Sequence, residues 1–300
     1  MYLIIVIPED APDTPEQLGT KEKFWFTREE DGKRYLFKEG RPGTGENWAE
    51  KVCCEIARRL TIPHAEYNLA LWRNLRGVVT PTFVPKDGRL ILGNELLAHL
   101  DTDYDKEKRF GVKQHTVSVV MAVMRSPGVE APYGYNKPEE LRNPASIFVG
   151  YLMLDALVGN QDRHHENWGL ILDKKRKVTI APTFDHASSL GRNEQDATRI
   201  ERLYTKDKGR SVEEYVLKAR SAFYAKASSA KPLSTFDAFQ EASRHDQRAA
   251  AYWLGKLRDT GIEEVERIFG YVPETEISNP AKEFALRMLD LNRNRLLKAT

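Results

Sequence analysis

One long apolar segment, residues 145–158, constrains most strongly what this chain can fold into. It is too rich in Leu, Met and Ala for a strand, and the Gly159-Asn160 pair that follows is a typical helix C-terminal signal. We therefore expect a long helix that ends at the polar sequence Asn-Gln-Asp-Arg-His-His-Glu-Asn, residues 160–167. A length of 300 residues accommodates this helix in either one large domain or two lobes.

The part of the chain before residue 93 has the pattern of a small sheet with one helix. Short aromatic and β-branched runs, separated by turn residues, predict four strands at residues 24–27, 34–38, 77–84 and 89–92. Apolar residues recur every four positions from about residue 47 to residue 60, which predicts a helix between the strands. The apolar start of the chain, residues 1–7, is interpreted as a further, buried strand.

The rest of the chain is predicted to be mostly helical. After a predicted hairpin, four helices are expected at about 211–226, 236–259, 262–269 and 280–298. The composition changes near residue 93, so we expect an N-terminal lobe of residues 1–93 and a C-terminal lobe of residues 94–300. The predicted class is α+β, with a small antiparallel sheet and one helix in the first lobe and a larger helical second lobe.

Composition and charge argue against several classes of protein. The chain is 41% hydrophobic and 30% charged, which suits a soluble globular protein with a proper core. Its 46 basic and 44 acidic residues leave a net charge of +2, which gives no general argument for binding nucleic acid or a membrane. Cys53 and Cys54 are too few for a disulfide scaffold or a four-ligand zinc site, so a reducing compartment fits best.

Three elements that could carry chemistry occur in a fixed order along the chain. Lys38 ends a predicted strand and Glu50 follows in the predicted helix; Asp162 precedes Asn167 by five residues; Asp185 comes after the second hairpin. Phosphoryl transfer needs such parts: a fixed cation for the phosphates, hard oxygen ligands for magnesium, and a carboxylate that orients the acceptor hydroxyl. The spacing from Asp162 to Asn167 matches that of the protein-kinase catalytic loop.

The histidines beside these aspartates raise a different interpretation. His164, His165 and His186 could indicate a transition-metal hydrolase. The spacing argues against this, because adjacent histidines point in different directions and no His-x3-His sequence occurs. We expect His165 to face solvent.

Two segments resemble the catalytic core of the HipA-like serine/threonine kinases. In residues 160–167, Asp162 is followed by Arg-His and then by Asn167, an order that is also similar to the phosphatidylinositol-kinase superfamily. The second segment, residues 183–191, reads Thr-Phe-Asp-His-Ala-Ser-Ser-Leu-Gly. The commoner protein kinases place His-Arg before the aspartate instead.

A third segment extends the resemblance toward the start of the chain. Residues 18–23, Leu-Gly-Thr-Lys-Glu-Lys, resemble the phosphate loop of the same kinases. The similarity is therefore carried by residues 18–60 and 145–191, and it adds little elsewhere. It implies a two-lobed, protein-kinase-like fold with ATP bound between the lobes.

The resemblance also implies a role for each matching residue. Asp162 is expected to be the catalytic carboxylate, while Asn167 and Asp185 are expected to hold Mg²⁺. The resemblance also implies that His164 is structural and supports the catalytic loop. Lys38 is expected to contact the α- and β-phosphates and to pair with Glu50. The remaining expected nucleotide contacts are Gly19, Thr20, Lys21 and Lys23 in the phosphate loop, and Phe83 and Val84 in a hinge that reads adenine.

The implied activity is ATP- and Mg²⁺-dependent transfer of the γ-phosphoryl group to a Ser or Thr hydroxyl of a protein. Two alternatives stay open: a lipid or small-molecule kinase with the same core, and a nucleotide-binding pseudokinase that regulates another protein. The resemblance suggests a small helix-turn-helix antitoxin as a partner, with no membrane binding and no direct nucleic-acid binding by this chain. The expected location is the cytoplasm, and a secreted effector role is left open.

The chain departs from the family in two ways. HipA itself carries an extra N-terminal subdomain, so this chain resembles a minimal member. HipA-like toxins also carry an autophosphorylated serine just before the loop glycine, where this chain has Glu16, Gln17 and Leu18. We therefore expect that inhibition by phosphorylation at this place is absent.

Overall fold

The computed structural model describes residues 1–15 and 22–298, and its first sheet is formed by the N-terminal part of the chain. The strands of this sheet are β1 (Ile5–Val6), β2 (Thr14–Pro15), β3 (Lys23–Thr27), β4 (Arg34–Glu39), β5 (Asn68–Trp72) and β6 (Leu75–Pro81). They lie in the order β1-β5-β6-β4-β3-β2, with every pair antiparallel except β1 with β5. The sheet is largely antiparallel, as predicted. It includes β5, which was not predicted, and the strand predicted for it at residues 89–92 belongs instead to a second sheet.

A single long helix, α1 (Glu46–Arg59), packs on one face of this sheet, against β5 and β6. Because side chains alternate along a strand, Val78 and Val79 of β6 point to opposite faces. Val78 belongs to the cluster that includes Cys54 of α1, whereas Val79 joins an aromatic cluster with residues such as Phe37 and Trp72. Both faces of the sheet are thus covered by apolar side chains.

A second, smaller sheet belongs to the other part of the molecule. Its strands are β7 (Arg89–Leu92), β8 (Val129–Glu130), β9 (Gly169–Leu172) and β10 (Val178–Ile180), in the order β7-β9-β10-β8. The β9–β10 hairpin corresponds to the one predicted. By strand pairing, the change from the first sheet to the second falls between Pro81 and Arg89, a few residues before the expected boundary at residue 93.

Helices fill most of the C-terminal part. They are α2 (Gly93–Leu100), α3 (Val117–Met124), α4 (Pro144–Val158), α5 (Asp196–Tyr204), α6 (Val212–Leu217), α7 (Thr235–His245), α8 (Gln247–Asp259), α9 (Ile262–Gly270) and α10 (Asn279–Lys298), with a 3-10 turn at Lys208–Arg210. Every residue of α4 is buried, and α7, α8 and α10 pack around it. None of the described helices is long and apolar enough to cross a membrane.

Several predicted elements differ from the observed ones. The helix expected at 236–259 is divided at Asp246, whose carboxylate accepts hydrogen bonds from Ala249 N–H (3.0 Å) and Ser146 Oγ (2.6 Å) and so begins α8. The helix expected at 211–226 ends at Leu217. Residues 1–7 do not form a buried strand, since Leu3 and Val6 are exposed and the strand is limited to Ile5–Val6, after which Ile7 N–H makes one more hydrogen bond to the Leu71 carbonyl at 2.9 Å.

Candidate functional site

A cleft of about 980 Å³ is lined by the first sheet, by α1 and by the loops that follow α4 and β10. Every predicted site residue that the structure describes lines this cleft: Lys23, Lys38, Glu50, Phe83, Val84, Asp162, Asn167 and Asp185. The other predicted phosphate-loop residues, Gly19, Thr20 and Lys21, lie outside the described residues.

The end of α4 gives the loop at 160–167 its shape. Gly159 closes the helix with a φ of +66°, a left-handed conformation that glycine adopts without strain. Asp162 N–H then donates to Asn160 Oδ1 at 3.1 Å, and Asn167 Nδ2 donates to the Asp162 carbonyl at 2.6 Å. The backbone of Asp162 is therefore held from both sides, and the two residues predicted for catalysis and metal binding are linked directly.

A buried ion pair fixes this loop to the helix before it. Arg163 Nε and Nη2 donate to the Asp155 carboxylate, and Nη1 donates to the carbonyls of Asn167 (2.7 Å) and Phe184 (3.3 Å). One guanidinium thus connects α4, the loop at 160–167 and the residue before Asp185. Neither Arg163 nor Asp155 was predicted to have a role, although Asp155 is the one charged residue in α4.

Lys38 and Asp185 form an ion pair across the cleft. The Lys38 Nζ lies 3.2 Å from Asp185 Oδ2. Burial alone disfavours both charges, but the attraction outweighs it: the Asp185 carboxylate raises the pKa of Lys38, while Lys38 and then Lys23 hold the pKa of Asp185 well below its usual range. The Asp185 backbone has a φ of +60°, a left-handed conformation that aspartate tolerates better than most residues.

Glu50 does not form the ion pair with Lys38 that the sequence suggested. Its buried carboxylate instead accepts hydrogen bonds from the backbone N–H groups of His186 (2.8 Å) and Ala187 (3.1 Å). This correction has a simple cause, because those two N–H groups would otherwise be unsatisfied in the interior. Glu50 therefore positions the segment that begins at Asp185, while Asp185 itself neutralises Lys38.

The carboxylate of Asp162 is partly withdrawn from solvent. Ser188 Oγ donates to its Oδ2 at 3.3 Å. Burial, followed by repulsion from Asp185, raises the pKa of Asp162 to about 6. Such a carboxylate is ionised at neutral pH and is a better proton acceptor than an exposed aspartate.

The histidines near the cleft support the surrounding backbone. His164 Nδ1 accepts a hydrogen bond from Glu166 N–H at 3.1 Å, and His186 Nε2 lies 2.8 Å from Thr183 Oγ1. The prediction that His165 faces solvent is wrong, because its side chain is buried and Nδ1 lies 2.7 Å from the Tyr104 hydroxyl. Within residues 1–15 and 22–298, none of these histidines belongs to a group of three metal-ligating side chains.

The predicted hinge forms one end of the cleft. Phe83 stacks on Phe184, with ring centroids 5.5 Å apart, and so reaches the residue beside Asp185. Thr82 Oγ1 accepts a hydrogen bond from Val84 N–H at 3.3 Å, which orders the segment after β6. These contacts give the end of the cleft a flat, apolar surface.

Two arginines that were not predicted also line the cleft. Arg109 pairs with Glu166 at 2.7 Å, and Arg192 pairs with Glu46 of α1 and donates to Ser188 Oγ at 2.9 Å. No motif includes either residue, although Arg192 directly follows the segment 183–191 that carries the resemblance; Arg109 comes from a part of the chain without a motif. They add positive charge on the side of the cleft that holds Asp162.

The donor set in this cleft fits a hard cation. Asn167 uses its amide nitrogen to bond the Asp162 carbonyl, so its amide oxygen is the atom that can act as a ligand. Asp185 supplies a carboxylate that stays ionised because Lys38 lies beside it. Amide and carboxylate oxygens are the ligands that Mg²⁺ prefers.

The sequence matches one known protein family over most of its length. Residues 17–260 match the model of the HipA-like C-terminal domain family. The chain belongs to the HipA-like C-terminal domain family. The resemblance predicted from the sequence is thereby confirmed. A comparison with curated protein sequences returned no significant match.

Two solved structures have the same fold. The proinflammatory kinase CtkA of Helicobacter pylori superposes with a TM-score of 0.73 at 18% identity, and the match covers all of both chains. HipA of Shewanella oneidensis, solved with HipB and operator DNA, gives a TM-score of 0.54 at 11% identity over 97% of this chain and 67% of HipA. The predicted α+β, kinase-like fold is confirmed, and family and fold together support a kinase-like function.

Proposed function

We propose that this HipA-like protein is an ATP- and Mg²⁺-dependent kinase that phosphorylates a Ser or Thr hydroxyl of a protein substrate. One observation carries the proposal: Lys38, Asp162, Asn167 and Asp185, which come from three separate segments of the chain, line a single cleft. Phosphoryl transfer depends mainly on positioning and on neutralising charge, and these four side chains are suited to both tasks.

The nucleotide occupies the cleft with its adenine at the hinge. Phe83 offers a flat apolar face there, and the backbone of Val84 offers polar groups near it. The phosphates extend toward Lys38, whose ammonium group stays charged because Asp185 lies beside it. The Gly19 to Lys23 segment is proposed to add backbone N–H contacts to the phosphates.

Asn167 and Asp185 hold magnesium in this proposal. When bound there, Mg²⁺ would supply positive charge to the phosphates during transfer. Glu50 keeps the Asp185 segment in place through two backbone N–H groups, and Arg163 holds that segment to the Asn167 carbonyl. The two metal ligands therefore have a common, buried support.

Asp162 acts on the acceptor hydroxyl. Its carboxylate orients that hydroxyl and accepts its proton as the oxygen attacks the γ-phosphorus. Ser188 and the backbone contacts of Asp162 to Asn160 and Asn167 fix its position. Its raised pKa of about 6 suits a group that must be ionised before transfer and protonated after it.

The biological setting is proposed from the family. HipA was solved with HipB and operator DNA, so a small DNA-binding antitoxin is the partner that we propose to look for. CtkA is a proinflammatory kinase, which makes an effector role the competing proposal. The cytoplasm is the proposed site of action in the first case.

The test is phosphoryl transfer from γ-labelled ATP to protein substrates, with binding of ATP and Mg²⁺ measured separately. Asp162→Asn should bind ATP normally and lose transfer by about three orders of magnitude or more. Asp185→Asn should weaken Mg²⁺-dependent ATP binding as well. Asp173→Asn, in the exposed β9–β10 turn, is the matched control and should keep full activity. Transfer at the wild-type rate by Asp162→Asn would refute the assigned role, and binding without turnover on any acceptor would favour a pseudokinase.

A further inference from the structure

A group of three metal-ligating side chains lies outside the cleft, behind α1. Cys54 of α1, His64 and Glu66 place one ligand atom each within 4.8 Å of one another. Cys54 is buried, the His64 side chain is 9% exposed and the Glu66 side chain is 43% exposed. None of the three lines the cleft, so this group is separate from the residues assigned to Mg²⁺.

The ring of His64 is oriented as a ligand would be. Its Nδ1 lies 2.7 Å from the Ile62 carbonyl, which can only accept, so Nδ1 carries the proton and Nε2 carries the lone pair. Nε2 is buried and has no hydrogen-bond donor among the described residues. Metal-bound histidines usually show this arrangement, with the second ring nitrogen donating to a backbone carbonyl.

The atoms around Nε2 are arranged as two ligands of one cation would be. Glu66 Oε1 lies 3.5 Å from His64 Nε2, which brings two acceptors together without a proton between them. Two ligands bound to zinc at about 2.0–2.1 Å in tetrahedral geometry lie about 3.4 Å apart, which is close to this separation. Arg58 donates to Glu66 Oε1 at 2.8 Å, and such a hydrogen bond leaves the oxygen a second lone pair for a metal.

We propose that Cys54, His64 and Glu66 form a site for Zn²⁺ or a similar borderline-soft divalent cation, with a water molecule in the fourth position. Thiolate, imidazole and carboxylate are a typical zinc donor set, whereas Mg²⁺ disfavours the sulfur. As the metal–sulfur bond forms, the Cys54 thiol releases its proton to solvent. The half-exposed Glu66 side chain marks the route of entry from solvent.

The site has a structural connection to the Mg²⁺ ligand. Residues 62–67 are hydrogen-bonded to Thr183, which lies two residues before Asp185. Ala65 N–H donates to the Thr183 carbonyl, and Thr183 N–H donates to the Pro63 carbonyl, both at 2.9 Å. A metal that joins α1 to residues 64 and 66 therefore stiffens the backbone that supports Asp185. Bound Zn²⁺ should raise the melting temperature of the whole protein.

Cobalt is the probe that tests this proposal, because a Co²⁺–thiolate bond absorbs light. The full chain, freed of metal with a chelator, is titrated with Co²⁺ in excess Mg²⁺ and without ATP. We expect one equivalent to bind, with a thiolate-to-cobalt absorption band that Zn²⁺ then removes. Cys54→Ser should abolish the band, and His64→Asn and Glu66→Gln should each weaken binding about tenfold or more. Absence of the band in the wild-type protein overturns the proposal.

Matched variants separate this site from the alternatives. Cys53→Ser changes the neighbouring buried thiol, which lies 3.9 Å from the His186 carbonyl, and His99→Asn changes an exposed histidine; both should keep the band. Asp185→Asn should also keep it, and loss of the band in that variant would place the ion in the cleft and refute the proposal. Glu66→Gln guards against misfolding, because it alters a half-exposed side chain: at the same Zn²⁺ concentration, the rise in melting temperature should be smaller for this variant than for the wild-type protein, and equal rises would overturn the proposal.

Discussion

Arg163 and Asp155 form a two-pronged ion pair with no access to solvent. Nε and Nη2 of the guanidinium lie 2.8 and 2.7 Å from the two carboxylate oxygens, and both side chains are buried. Asn160 Nδ2 also donates to Asp155 Oδ1 at 2.8 Å, so the carboxylate is fully hydrogen-bonded. The loop that holds Asp162 and Asn167 is therefore fixed to the centre of the core.

Removal of Asp155 should destabilise the protein strongly. Asp155→Ala leaves the Arg163 charge buried without a partner, which typically costs about 3–5 kcal/mol of unfolding free energy. Urea unfolding followed by circular dichroism measures this loss. The control is Glu241→Ala, which breaks the exposed Arg244–Glu241 pair and should change stability by less than about 1 kcal/mol. Equal effects of the two changes would contradict the role of the buried pair.

The sequence contains a signal for this pair. Asp155 stands alone among apolar residues in α4, and a charge in a helix buried on all sides needs a partner. Asp162, Asn167 and Asp185 could be found because their chemistry requires fixed residue types at fixed spacings. The spacing of residues does not predict the partners of Arg163, because they come from three separate segments of the chain.

Other features depend on contacts that a linear pattern does not encode. From the sequence, Lys38 could pair with either Glu50 or Asp185. Lys38 pairs with Asp185 because the Glu50 carboxylate accepts hydrogen bonds from two buried backbone N–H groups that have no other partner in the described part of the chain. The break between α7 and α8 depends on Ser146, which lies a hundred residues before its partner Asp246. Propensity therefore predicted one helix where tertiary contacts make two.

Transfer activity should depend on the ionisation of Asp162. Only the carboxylate can accept the hydroxyl proton, and the pKa of Asp162 is about 6, so activity should be nearly constant above pH 7 and fall about tenfold per pH unit well below pH 6. The kcat/KM for a peptide or protein acceptor between pH 5 and pH 8 checks this. A profile that stays flat down to pH 5 would exclude an ionised Asp162 from the rate-limiting transfer.

The same raised pKa predicts how stability responds to Asp162→Asn. The pKa of Asp162 in the folded protein, about 6, is higher than the ordinary value for aspartate, so the folded state binds this proton more tightly than the unfolded state does. The protonated side chain therefore contributes folding stability at low pH, and this contribution is lost as the pH rises through about 6. Asp162→Asn removes the buried negative charge, so it should stabilise the protein by on the order of 1–2 kcal/mol at pH 8. Near pH 4 the difference should largely vanish. Thermal unfolding at the two pH values measures it, and a larger gain at pH 4 would contradict the sign.

The packing of α4 against α8 depends on a glycine. A Cβ at Gly150 would lie 2.5 Å from the indole ring of Trp253, whose Nε1 donates to the Ser146 carbonyl at 2.8 Å and therefore cannot move without losing that bond. Gly150→Ala should thus destabilise the protein by about 1–3 kcal/mol despite the higher helix propensity of alanine.

Gly255, in the same helix as Trp253, offers the matched comparison. Apart from its chain neighbours and the backbone of its own helix, no atom of the described residues lies within 4 Å of a Cβ built at this position. Gly255→Ala should therefore gain only the higher helix propensity of alanine and stabilise the protein by up to about 1 kcal/mol. Urea midpoints of the two variants, measured together, should therefore move in opposite directions from the wild-type value. If both move upward, the close approach of α4 to Trp253 does not require glycine, and the two helices can separate at little cost.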